Sequence, residues 1–148
     1  MARTYRLGPA RRAVNSIMTV LLKAGVGPRS TYLMTTRGRR SGRLRTTPVT
    51  LVEHGTDRWL VAPYGTVSWV HNVRANPTVE LRRGRQRRRL RAEEVAAAIA
   101  GPVLHRYVRA VAVTRPYFDA GPDDPDTAFV DEAAKHPVFR LSEARGAP

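Results

Sequence analysis

Apolar positions change their period several times along the chain, and each change marks an element. Over residues 9–24, Val14, Ile17, Met18, Leu21 and Leu22 fall at i, i+3, i+4, i+7 and i+8, with Arg11, Arg12, Asn15, Ser16 and Lys23 mostly off that stripe. This spacing predicts an amphipathic helix, stopped by Gly25 and Gly27-Pro28. From Thr31 onward the apolar runs become short and are bounded by turn residues, which predicts strands over residues 31–34, 49–52, 58–62, 78–82, 86–92 and 138–141. Pro63-Tyr64-Gly65 breaks the third strand, and Ser68 is placed to cap a short helix over 69–74 that Ala75-Asn76-Pro77 closes. Helical spacing returns over residues 93–113, where Val103, Leu104, Tyr107, Val108 and Val111 share a face and Gly101-Pro102 marks an expected break. After an acidic turn over 119–126, a last helix is expected over 127–135 with Asp126 near its cap, ended by His136-Pro137. Six short strands without βαβ alternation, and helices at the periphery, predict a mainly β (α+β) single domain over 1–148, built as a small antiparallel barrel.

Composition narrows the chemistry. The 148 residues are 42% hydrophobic, enough for a packed core without staples, and they contain no cysteine, which excludes disulfides and thiolate metal sites. His54, His71, His105 and His136 lack metal-ligand spacing, and Asp123, Asp124 and Asp126 lack the glycine and terminal glutamate of a calcium loop. No apolar run reaches the ~18 residues of a membrane span, and no signal peptide is read, so the expected location is the cytosol. Lys and Arg outnumber Asp and Glu by 26 to 12, a formal charge of +14. Such a surplus implies a polyanionic partner: nucleic acid, lipid head groups, or a small ligand rich in phosphate and carboxylate. The 9–24 helix fits two roles, lying on an anionic membrane or packing on its own barrel.

Two basic stretches compete for that anion. Residues 82–91 hold seven arginines, but no stacking aromatics are interleaved and no DNA-binding motif is present, so no specific nucleic-acid partner is expected. Residues 35–48 place Arg37, Arg39, Arg40, Arg43 and Arg45 on a tight connection between two strands, with Thr36, Ser41 and Thr46 among them and Gly38 and Gly42 in the turn. Guanidinium forks, hydroxyls and glycine amides are the groups that hold phosphate and carboxylate oxygens.

The set Thr-Thr-Arg-Gly-Arg-Arg-Ser-Gly-x-x-Arg-Thr-Thr-Pro, then Val-Ala-Pro-Tyr-Gly, then Trp69-Val70-x-Asn72-Val73-x-Ala75-Asn76-Pro77 resembles the deazaflavin-dependent nitroreductase family of actinobacterial oxidoreductases. Order and spacing agree from about Tyr32 to Val95, and Arg-Pro-Tyr-Phe with His-Pro-Val-Phe-Arg-Leu is similar to a short-loop branch of that family. Between Gly65 and Trp69 the chain is shorter than better-known members and lacks their lysine. The resemblance implies the split β-barrel of oxidases that bind flavin mononucleotide (FMN), and coenzyme F420, a 5-deazaflavin with a phosphate and an oligoglutamate tail. It places Arg39, Arg40 and Arg45 on the phosphate and tail, with hydroxyl bonds from Thr36 and Ser41. Pro48 and Val49 would lie against the ring, Ala62, Pro63, Tyr64 and Gly65 at its polar edge, and Trp69 and Asn72 on the helix that closes the site.

The reaction so implied is hydride transfer to a small substrate such as a quinone, an enone or a nitro compound, with FMN as the alternative cofactor. No Ser-His-Asp set or paired carboxylates are visible, which suits chemistry carried by a cofactor. Tyr64 and Tyr117 are the candidate proton donors or substrate contacts. Other classes remain open: a flavin- or haem-binding split barrel without turnover, or a basic module on membrane or nucleic acid. Monomer and homodimer both remain open.

Overall fold

Strand β1 (Thr31–Arg37) enters a tight loop and returns as β2 (Leu44–His54), with Thr36 opposite Arg45 and Leu33 opposite Pro48. A turn at Gly55 leads into β3 (Asp57–Val61), and β4 (Thr78–Arg83) and β5 (Gln86–Glu94) form a second hairpin. The last strand, β6 (Val138–Glu143), inserts between β3 and β5, and β4 pairs with β1, so the sheet closes in the order β1-β2-β3-β6-β5-β4 with every pairing antiparallel. The computed structural model describes residues 9–25 and 29–144, so the expected Gly27-Pro28 stop lies outside the described residues.

Alternation along the strands fills the barrel. Met34, Leu51, Leu60, Val79, Leu81, Leu90 and Phe139 point inward and are buried. A second apolar cluster covers one end, where Val52 and Val61 meet α3 (Ala97–Ala110) and α4 (Asp126–Val130) through Val103, Leu104, Val108 and Phe129. Helix α2 (Ser68–Ala75) buries Val70, Asn72 and Val73 against the barrel.

Several boundaries differ from the sequence expectations. The expected start of the third helix at 93 is overruled because Glu93 and Glu94 continue β5, pairing with Arg140 and Phe139. The same helix is not broken at Gly101-Pro102: Gly101 lies under α4, where an added Cβ would stand 2.9 Å from Val130 Cγ2, and helix packing holds the turn in place. It ends at Ala110, and Ala112–Tyr117 follows as a 3₁₀ turn. The expected 127–135 helix is α4 followed by a 3₁₀ turn, Asp131–Ala134. Ser68 does not cap α2, since the cap residue is Val67 without a side-chain bond. Pro125 caps α4 with Asp126 beside it in the first turn, as expected near the cap, and the Asp126 carboxylate accepts a 2.6 Å bond from His105 Nδ1. In helix α1 (Pro9–Lys23), Leu22 is buried and its carbonyl accepts from Gly84 N. Ile17 and Leu21, on the apolar stripe, are exposed, and the Val14 side chain lies outside the described set.

Candidate active site

The β1–β2 connection is folded by its own backbone. Gly38 N donates to Arg43 O at 2.7 Å and Gly42 N to Gly38 O at 2.9 Å, a turn that requires the positive φ of 70° at Gly42. Arg37 Nη1 closes it by donating to Gly42 O at 3.0 Å, and Arg43 N donates to Ser41 Oγ at 3.1 Å. A Cβ at Gly38 would lie 2.9 Å from Ser41 Oγ and 3.1 Å from Arg43 O, so a side chain there would force the loop apart. Asn72 anchors the loop to α2: its Oδ1 accepts from both Arg39 N at 3.1 Å and Arg39 Nη1 at 3.0 Å.

This loop forms one side of a cavity of about 1340 Å³. Thr36, Arg39, Arg40, Ser41, Arg45 and Asn72 give that side positive charge and hydroxyls. Thr36 is 1% exposed and its Oγ1 has no hydrogen-bond partner, an orphaned polar atom in the cavity lining. Pro48, Val49, Pro63, Tyr64 and Trp69 form the walls, and Trp69 also packs on Phe139 with ring centroids 6.0 Å apart. The side made by α1, α3 and the following 3₁₀ turn is mostly apolar, with Met18, Tyr107, Ala110, Val111 and Val113. Burial pushes the Tyr107 phenol well above its ordinary pKa, with the Tyr64 charge adding to the effect.

Three sequence candidates do not line the cavity themselves. Ala62 is fully buried, its N donating to Pro137 O, and Gly65 is absent from the lining. Tyr117 lies behind Tyr64, in edge contact at 5.0 Å and 84°. Ala62 and Tyr117 are braced by His136, whose Nδ1 lies 3.1 Å from Ala62 O and whose Nε2 lies 3.0 Å from Tyr117 O, while its ring stacks on Phe118 at 3.9 Å. Burial lowers the His136 pKa, outweighing the Ala62 and Tyr117 carbonyls and the Glu132 carboxylate, so the neutral ring donates to one carbonyl at a time. Tyr107 and Met18 escaped the sequence reading as site residues because both sit on helical apolar stripes that read as ordinary core. Among the described residues, no group of three or more His, Asp or Glu is placed to hold a metal ion.

A family model described as F420H(2)-dependent quinone reductase matches residues 11–130, a span that contains every cavity residue. Among solved structures, an F420-H2 dependent reductase is 27% identical, with a TM-score of 0.56 covering 77% of this chain and 95% of that one. A structure described as a domain-swapped dimer is 24% identical, with a TM-score of 0.57 over 91% of this chain and 100% of that one, and shares the fold. So does a haem storage protein from Vibrio cholerae, 16% identical, with a TM-score of 0.51 over 80% of this chain and 84% of that one.

Proposed function

This chain belongs to the F420H(2)-dependent quinone reductase family, and from that premise we propose that its two-sided cavity holds the cofactor along the arginine loop and a quinone against the apolar side. Membership makes it an F420-dependent reductase of split-barrel fold. The observation that carries the assignment is that one cavity is lined both by the cationic, hydroxyl-bearing β1–β2 loop and by apolar side chains from α1, α3 and the segment after it. Its volume of about 1340 Å³ exceeds the range of about 300–1,000 Å³ usual for one small ligand, so two molecules fit.

The residues present suit a polyanionic cofactor. The orphaned Thr36 hydroxyl needs a partner, and Arg40 and Arg45 have no carboxylate partner among the described residues. In this reading Arg39, Arg40 and Arg45 hold phosphate and tail carboxylates, and Thr36 and Ser41 add hydroxyl bonds. Asn72 acts one step back, by fixing Arg39. Pro48, Val49, Pro63, Tyr64 and Trp69 supply flat apolar walls for a ring system. When bound, coenzyme F420 supplies a hydride from a ring carbon. The chain's own contribution is to bind, orient and keep water from the reacting faces. Enones and aromatic nitro compounds are alternative acceptors of the same shape class, and FMN is the alternative flavin.

A second reading concerns where the protein works. Ile17, Val20 and Leu21 on α1 and Val113 at the cavity are all exposed, and Arg12 and Lys23 share that helix. An exposed apolar face with flanking cations suits an anionic membrane surface, next to a cavity that takes a lipid-soluble quinone. Co-sedimentation with anionic vesicles, lost in Ile17→Ser/Leu21→Ser, tests it; equal binding to neutral vesicles would count against it.

The direct test of function mixes protein, reduced F420 and 2-methyl-1,4-naphthoquinone and follows recovery of the oxidised deazaflavin spectrum. Oxidation that depends on protein and quinone together is expected. Tighter binding of flavin mononucleotide than of the deazaflavin would move the assignment to the flavin class.

A further inference from the structure

Tyr107 is 4% exposed, yet it borders the cavity, on the same helix α3 as Ala110. Among the described residues its hydroxyl has no hydrogen-bond partner, and its oxygen keeps some accessible surface. That oxygen is therefore open to the cavity, where a bound molecule that accepts its proton can take the place of water. Neighbouring tyrosines do not share this position. Tyr64 is half-buried and leans on Tyr117, which does not reach the cavity at all.

We propose that the Tyr107 hydroxyl is a catalytic hydrogen-bond donor to the carbonyl oxygen of the quinone, taking up the negative charge that arrives on that oxygen with the hydride. This rests on the reading that the quinone occupies the apolar side. Quinone plus hydride gives the hydroquinone monoanion, and one proton from water gives the hydroquinone. The two electrons come from the reduced deazaflavin, and the Tyr107 O–H bond stays intact throughout. Its burial suits that role, because a phenol that resists ionisation remains a donor at any working pH. The apolar surroundings strengthen the bond while excluding water that would compete for the same oxygen.

The test uses the full chain and Tyr107→Phe. Titration with oxidised F420 should give affinities within about twofold of each other, and kcat/KM with 2-methyl-1,4-naphthoquinone should fall by about 10- to 100-fold in the variant. The discriminating readout is infrared: the carbonyl stretch of this quinone, bound to protein loaded with oxidised F420, should lie at lower wavenumber in the wild type than in Tyr107→Phe. An unshifted stretch, an unchanged kcat/KM, or loss of F420 binding in the variant would each overturn the proposal. If the wild type turns over no quinone, the functional assignment fails, while the carbonyl stretch still judges Tyr107. Should the variant not fold, the wild-type stretch decides alone: a band at the position seen in apolar solvent means no hydrogen bond.

Discussion

Arg39 and Arg45 carry the same charge on the same loop, but their freedom differs. Arg39 is held by Asn72 Oδ1 at 3.0 Å and by Ser68 O at 3.5 Å, whereas Arg45 rises from the start of β2, opposite Thr36, without an anionic partner among the described residues. A strand holds its backbone, so Arg45 loses less entropy on binding than a loop-tip side chain. Arg45→Ala is expected to weaken F420 binding by about 1.5–3 kcal/mol with an unchanged circular dichroism spectrum, and Arg45→Lys to recover only part, since an ammonium lacks the two-pronged contact. Asn72→Ala should act at a distance, releasing both Arg39 bonds; affinity should drop in the same titration and thermal stability by about 1 kcal/mol. These arginines were legible in the sequence because the glycine spacing announces a turn and the arginines announce an anion. Tyr107 was not legible: a tyrosine at a 3.6-period apolar position looks the same whether its hydroxyl faces core or cavity. Ala62, Gly65 and Tyr117 lie close to the site in sequence but do not line the cavity.

At the scale of elements, the strands and their order of appearance followed from period-2 runs and turn residues, while helix boundaries did not. Glu93 and Glu94 have helical propensity, yet the ladder to β6 and the two-pronged Arg74–Glu94 pair hold them in β5. Gly101-Pro102 reads as a breaker until α4 is seen pressing on Gly101. Gly101→Val should therefore cost ~2 kcal/mol or more in denaturant unfolding, because the added atoms meet Asp126 O at 3.2 Å and Val130 N at 3.3 Å as well as a movable side chain. The segment after α4 carries a pH dependence. His136 has a folded pKa below its ordinary 6.5, so the unfolded chain takes up its proton more readily. Its contribution is complete above that value and is lost as pH falls through the folded pKa. Urea midpoints measured from about pH 5 to about pH 8 should rise with pH, with a shallower slope in His136→Gln; an identical slope would remove His136 as the cause.

For the whole molecule, a charge of +14 on 148 residues makes every anion contact sensitive to salt. F420 affinity should decline steadily with ionic strength, and DNA retention should be weak and vanish at moderate salt, as expected for sequence-independent counterion release. Sequence-selective DNA retention at physiological salt, measured by gel shift, would contradict the assignment of the surplus to a small cofactor. The closed strand order has a further consequence, for synthesis. A ribosome delivers β1 to β5 and the described helices before residues 138–143, and until those emerge β3 and β5 each present an unpaired edge. The nascent chain thus carries two open templates for mispairing, and the arginines that cluster on β5 are well placed to keep one of them from joining its copies on a neighbouring ribosome.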